Sequence, residues 1–164
     1  MKKLQKTNAM RELDVAKIVY EVMSYECDGV NFDGELVAAQ VGLPCSQVFK
    51  TLVTRDEKNH IIVCCIPVDR KVDLKALAAA AGCKRAEMTK QDELLALTGY
   101  IRGGCSPVGM KKHYPTFIDS SALEQEKIAV SAGLRGLQLY LAPAELIRHT
   151  GAVTGVFVQA PDTE

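Results

Sequence analysis

Six consecutive residues, Ile61-Ile62-Val63-Cys64-Cys65-Ile66, carry no charged side chain and alternate with nothing polar. A strand with one wet face alternates apolar and polar residues. A run that is apolar on both faces predicts a central strand covered on both sides. The rest of the chain must supply those covers. The polar turn Arg55-Asp56-Glu57-Lys58-Asn59 precedes this run, and before the turn comes a second β-prone run, Val48 to Thr54. That run contains one charge, Lys50, within Gln47-Val48-Phe49-Lys50-Thr51-Leu52-Val53. In a strand Val48, Lys50 and Leu52 share one face, and Phe49, Thr51 and Val53 the other. A lysine on an apolar strand face is most simply an edge residue whose ammonium reaches water. The functional alternative is an anion clamp for phosphate or carboxylate, because a buried unpaired ammonium is costly. At an ordinary lysine pKa it carries charge, and nothing in the pattern requires it to act as nucleophile or base.

Local signals place the other elements. Thr7 or Asn8 caps a helix running to Lys17, and 18–25 turns β-branched and aromatic, predicting a strand. Asp33 caps a helix from Gly34 to Val41, with Gly42 at the C-cap position. Pro44 to Gln47 forms one further helical turn. Asp73 caps an alanine-rich helix from Leu74 to Ala81, closed by Gly82. Residues 84–88 read as a short strand, and Thr89-Lys90-Gln91-Asp92 opens a helix to Leu97. Strands follow at 117–118, 127–130 and 137–141, with a turn or short helix at 120–124. Pro143 opens a helix to His149, and 153–158 closes the chain as a strand. Residues 160–164 read as a loose tail. Strands and helices mix without strict β-α-β alternation. The prediction is an α+β fold in one domain spanning 1–164, around a curled, barrel-like mixed sheet with surrounding helices.

Composition narrows the function classes. A chain of 164 residues buries roughly 70% of its unfolded surface and needs no disulfide or metal to fold. Twenty basic and twenty acidic residues cancel, so attraction to a nucleic acid has to come from a local patch. No apolar run reaches the roughly 18 residues that span a bilayer. The basic start, 1–7, is not followed by an apolar segment, so it reads as no signal peptide. Six cysteines show no C-x-x-C pair, and His60, His113 and His149 lie far apart. No metal and no cofactor are expected, and the cysteines read as small buried residues in a reducing cytoplasm.

Two loops are candidates beside Lys50. Gly103-Gly104-Cys105-Ser106-Pro107-Val108-Gly109 holds three glycines in seven residues, which lets backbone approach a ligand or a neighbouring segment. Arg102, Lys111 and Lys112 flank it as a possible basic rim. Ser131-Ala132-Gly133-Leu134-Arg135-Gly136 is the second loop. Ser131 lacks a G-x-S-x-G elbow or a nearby histidine, and Cys105 and Cys45 lack an activating base. None of the three reads as a protein nucleophile.

Taken together, Val41-Gly42-Leu43 with Gln47 to Leu52, Asp73-Leu74-Lys75, Thr98-Gly99-Tyr100 with Gly103 to Lys112, and Ser131 to Leu137 resemble the YbaK/EbsC family. These are free-standing relatives of the editing domain inserted in bacterial prolyl-tRNA synthetases. The resemblance covers nearly the whole chain and runs closest to the Cys-tRNA(Pro) deacylases. It implies a trans-editing hydrolase in the cytoplasm that acts on the 3′ end of mischarged tRNA(Pro), with prolyl-tRNA synthetase as a partner. Alternatives are a deacylase for another charge, such as Ala-tRNA(Pro), and a non-catalytic tRNA- or synthetase-binding module. The family's essential lysine maps onto Lys50. By the same resemblance Thr51 shapes the pocket, Tyr25 and Phe32 wall it, and Gly103 and Gly104 present backbone groups. Ser131 and Gly133 close the far side. In the Cys-specific branch the substrate thiol attacks its own ester. The chain departs from the family's Ser-Gly-Gly-Lys-Arg-Gly-Leu-Asp at Leu134, where a basic residue is usual, and at Gln138, where an acid is usual.

Overall fold

The computed structural model describes residues 5–29 and 33–161. Helix α1 (Asn8–Val15) is capped by the Thr7 side chain, which accepts from Met10 N–H. It stops earlier than its pattern predicts, and the strand expected from residue 18 is short. The reason is a hydrogen-bonded helix end. Lys17 takes a left-handed φ of 59°, Ile18 N–H bonds back to Leu13 O at 2.9 Å, and Lys17 N–H to Asp14 O at 3.0 Å. That is a Schellman closure with lysine in the usual glycine position. Ile18 is buried against the α1 core, so its β-branched side chain serves the helix end. The strand β1 is left with Glu21–Ser24.

Helix α2 (Gly34–Val41) has the expected caps, Asp33 and a left-handed Gly42. A single 3-10 turn at Cys45–Gln47 leads into β2 (Phe49–Asp56). The β2 strand outlasts its predicted end because Asp56 Oδ1 accepts both Lys58 N–H at 2.8 Å and His60 N–H at 2.9 Å. The acid thereby closes the hairpin to β3 (Ile61–Pro67). Helix α3 (Leu74–Ala81), strand β4 (Ala86–Met88) and helix α4 (Leu94–Thr98) follow. The chain ends with β5 (Thr116–Asp119), β6 (Ile128–Ser131), β7 (Leu137–Leu141), α5 (Pro143–Thr150) and β8 (Val153–Gly155).

The strands make two sheets, β4-β2-β3-β5-β8 and β1-β7-β6. The first is mixed: β2 pairs antiparallel with β3 and β4, while β3, β5 and β8 run parallel. As its apolar run requires, β3 is central. Cys64 and Ile66 face the α3 layer with Leu77, Phe117 and Phe157. Cys65 faces the other layer with Phe49, Ile118 and Leu139. The sheets do not close into a barrel among the described residues. They meet at one isolated bridge, Val48 to Ala129. A barrel needs an unbroken ladder around its circumference. Here β4 covers only Thr54 to Asp56 of β2, so among the described residues the flank of Phe49 to Leu52 carries no strand, and it opens into a cavity. No helix among the described residues is long and apolar enough to cross a membrane.

The inner layer is aliphatic, with Leu139, Ile118 and Leu146 fully buried. We expect Leu139→Ala to cost about 2–5 kcal/mol, from lost burial and the void left behind. Equilibrium urea unfolding measures it; a cost under about 1 kcal/mol would show that this layer repacks freely.

Candidate active site

The open flank of β2 faces a cavity of about 300 Å³. Its walls are drawn from all along the chain. Strand β2 contributes Phe49, Lys50, Thr51 and Leu52; α2 contributes Gly34 and Val37; Arg102, Gly103 and Cys105 come from the first glycine loop. Ser131 and Gln138 come from β6 and β7, and Tyr25 and Cys27 from the segment after β1. Val37, Val48, Phe49, Leu52 and Val68 form an apolar side. No carboxylate is among these residues, whereas Lys50 and Arg102 are.

Lys50 is half-buried, opposite Ile66 in the β2–β3 ladder. Among the described residues no carboxylate is within ion-pair distance of it. Burial pushes its pKa below the ordinary lysine range, against the opposing pull of Asp69, Glu35 and Asp33. The expectation of an unperturbed lysine is thus corrected: the ammonium is partly stripped of water, and a bound anion would relieve that cost.

The two loops are fastened to one another at this cavity. Arg135 Nε donates to Arg102 O at 2.8 Å. A Cβ on Gly104 would stand 3.1 Å from Arg135 N. Tyr25 joins both loops, with its hydroxyl donating to Gly103 O at 3.4 Å and its N–H to Gly136 O at 2.9 Å. Ser131 Oγ accepts Gly133 N–H at 3.2 Å. Gly133 turns with φ +97°, and a Cβ there would come 2.7 Å from the Tyr100 ring. The Tyr100 hydroxyl in turn donates to Val108 O at 2.7 Å.

Of the residues singled out from sequence, Lys50, Thr51, Tyr25, Gly103 and Ser131 line the cavity. Gly104 and Gly133 do not; they let the loops pack against Leu134–Arg135 and Tyr100. Phe32 lies outside the described residues. The basic rim divides. Arg102 lines the cavity, but Lys111 lies over Gly99 and Lys112 lines a separate cavity of about 190 Å³ with Glu12, His113 and His149. The left-handed turn at Gly109 between them and Arg102 separates these neighbours in sequence. Sequence reading gives no site role to Gly34, Val37, Val68 and Cys27, whereas Gln138 stands out there as the position where the family usually carries an acid.

Nucleophile candidates are inert here. Burial pushes the Cys105 thiol up to about 12, despite a hydrogen bond from Thr98 that acts the other way. Burial also raises the Cys45 thiol, and thiols are nucleophilic as thiolates. Neither histidine nor acid lines the cavity to activate Ser131. All six cysteines are free. Among the described residues one group of metal-ligand type, Asp56, Glu57 and Cys83, gathers within 4.8 Å at the β2–β3 hairpin. Its carboxylates accept backbone N–H groups of Lys58, His60, Lys84 and Arg85, so they serve as turn locks.

The family model of the aminoacyl-tRNA editing domain matches residues 33–149, which contain Lys50 and both glycine loops. The chain belongs to the aminoacyl-tRNA editing domain family. It is 44% identical over 146 residues to the Enterococcus faecalis protein named "Putative Cys-tRNA(Pro)/Cys-tRNA(Cys) deacylase EbsC", covering 89% of each chain. Two crystal structures share the fold of this editing domain. The hypothetical protein APE2540 superposes with a TM-score of 0.85 at 22% identity, over 93% of this chain and all of that one. A "putative trans-editing enzyme for prolyl tRNA synthetase" gives 0.81 at 21% identity, over 93% of this chain and 96% of that one.

Proposed function

We propose that this chain is a trans-editing aminoacyl-tRNA deacylase that removes cysteine from mischarged tRNA(Pro). The observation that carries the reading is the makeup of the Lys50 cavity: two cations, an apolar side, no carboxylate and no activated protein nucleophile. Such a site binds an anionic end and excludes water, but supplies no attacking group of its own. The 44% identical E. faecalis relative bears a name with the same substrate.

In this reading Lys50 grips the terminal phosphate or ribose region, and Thr51, Tyr25, Phe32, Gly103 and Ser131 shape the pocket. Gly104 and Gly133 act at one remove by letting the loops close. The substrate Sγ gives up its proton and attacks the ester carbonyl carbon. The new S–C bond forms as the C–O bond to the ribose breaks, and the ribose oxygen takes up a proton. The product is a cyclic thiolactone, which water opens to cysteine. The protein contributes positioning and electrostatics, large terms in their own right. Prolyl-tRNA synthetase admits cysteine because a pocket discriminates weakly between ligands of nearly equal size. A cytoplasmic protein working beside that synthetase fits this role, with residues 1–164 acting as one editing unit.

The test is a panel of cysteinyl, alanyl and seryl esters on tRNA(Pro), with wild-type protein and Lys50→Ala. We expect cysteine to be released rapidly, and the other two esters to turn over at least about tenfold more slowly because they lack the thiol. Equal rates for alanine and cysteine would refute self-cyclisation and favour a deacylase of broader charge. Tight tRNA binding with no turnover of any ester would make the chain a binding module. Exposed Leu134, in place of a basic residue at the loop tip, is the feature that favours that second reading.

A further inference from the structure

Lys50 lines the cavity of about 300 Å³ beside Val37, Val48, Leu52 and Val68. Asp69, Glu35 and Asp33 act on it only through space, and burial outweighs their pull, so its pKa is lowered. A lysine held in this way is the free amine for more of its time than a solvated lysine is. The amine has the lone pair that the ammonium lacks, and desolvated lysines act as nucleophiles for that reason. Its neighbours on the wall are poorer lasting acyl acceptors. Arg102 is a guanidinium, which keeps its proton. Burial pushes the Cys105 thiol up to about 12, so it stays protonated. A thioester formed on Cys27, which also lines the cavity, would itself donate its acyl group to an amine beside it.

The chemistry of the cavity makes an acylating agent next to that amine. The thiolactone formed from a cysteinyl ester is a thioester in a strained ring, and its carbonyl carbon is still activated. Water opens it, but the apolar side of the cavity limits water, and an amine attacks a thioester more readily than water does. Reactants held side by side react as though at very high concentration.

We propose that Lys50 is an acyl-acceptor site, modified by the thiolactone that its own cavity generates, so that prolonged turnover ends in self-inactivation. This rests on the deacylase reading above. Lys50 Nζ attacks the ring carbonyl carbon, and its lone pair becomes the new C–N bond. The C–S bond breaks with its electron pair going to sulfur, and the thiolate takes up the proton that nitrogen loses. The product is a cysteinyl amide on Lys50, with a free thiol and a free α-amine. An acylated lysine has lost its charge, so the modified side chain no longer grips the tRNA end. The ammonium form holds the substrate, and the amine form is the one consumed.

Two arms test it, each read by peptide mass mapping after hydroxylamine, which cleaves thioesters and spares amides. In the first, homocysteine thiolactone is given to the wild-type protein at pH 7 without tRNA. We expect Lys50 to be acylated at least about tenfold faster than any other lysine. That preference should shrink toward pH 10, as solvated lysines also become amines. Lys50→Arg keeps a cation that is not acylated and should lack the fast phase. In the second arm the wild-type protein turns over a large excess of cysteinyl-tRNA(Pro). A cysteinyl adduct should build up on Lys50, and the deacylation rate should fall in step with it. Labelling spread evenly over the lysines in the first arm would overturn the proposal, as would an adduct that hydroxylamine removes. Sustained release of cysteine with Lys50 unmodified would overturn self-inactivation and leave the deacylase reading standing. Fast labelling of Lys50 by the free thiolactone, with no cysteine released from tRNA, would overturn the deacylase reading and keep Lys50 as an acyl acceptor.

Discussion

Lys50→Ala should lower kcat/KM for Cys-tRNA(Pro) by roughly 10²–10³-fold, the loss typical when a preorganised electrostatic contact is removed from a water-poor site. Lys50 on β2 lines a cavity whose wall holds no carboxylate, and Asp69, Glu35 and Asp33 act on it only from beyond ion-pair distance, so its charge is available to substrate. The same feature predicts a gain in stability. Burial lowers the folded-state pKa of Lys50 from 10.5. Between the lowered value and 10.5 the unfolded chain binds more protons than the folded one, so stability rises with pH through that window. Below the window the folded protein bears the full desolvation cost. Lys50→Met keeps the aliphatic stem and removes the charge. It should therefore be inactive yet more stable than wild type at pH 7, by about 1 kcal/mol. The difference should shrink as pH climbs through the window. Thermal unfolding of both proteins at pH 7 and pH 10 measures this, beside initial deacylation rates. A Lys50→Met protein that deacylates at the wild-type rate would remove Lys50 from the mechanism.

The second large effect is structural. Gly109→Ala should destabilise the fold by about 2–5 kcal/mol. Gly109 has φ +80°, and its Cβ would fall 2.6 Å from Tyr100 Oη, 2.7 Å from Ala9 N and 2.8 Å from Asn8 C. Left-handed strain at a residue with a side chain contributes about 1–2 kcal/mol, and forced overpacking about 1–3 kcal/mol. Two of the three clashing atoms are backbone, so no rotamer change relieves them. The shift would also disturb the Tyr100 hydroxyl, which bonds Val108 O behind Gly133, and through it the Ser131 loop. Gly82→Ala is the control, since Gly82 shares the left-handed φ but has open space around it. Urea unfolding of the two variants separates strain from crowding. If Gly109→Ala costs no more than Gly82→Ala, close approach does not constrain this loop.

The sequence by itself determined the elements whose signals are local. Asp33 and Gly42, like Asp73 and Gly82, bound their helices because a side-chain cap and a left-handed glycine act within a few residues. The run 61–66 made β3 central because apolar side chains on both faces admit no wet side. The ordered motifs also carried the family. Tertiary structure decided what depended on residues far apart in sequence. Ile18 reads as strand from its own side chain, but a helix end and a buried core claim it. The expected barrel opens because β4 is too short to cover the first half of β2, a fact about pairing that neither strand's pattern contains. From sequence, the loop glycines could admit either a ligand or a neighbouring segment, and at 104, 109 and 133 the fold brings neighbouring segments against them. Gln138 sits where alternation would send a polar side chain to water, yet the second sheet and the Lys50 cavity enclose it. Whether a buried acceptor has a partner depends on every atom around it, and only the folded chain brings those atoms together.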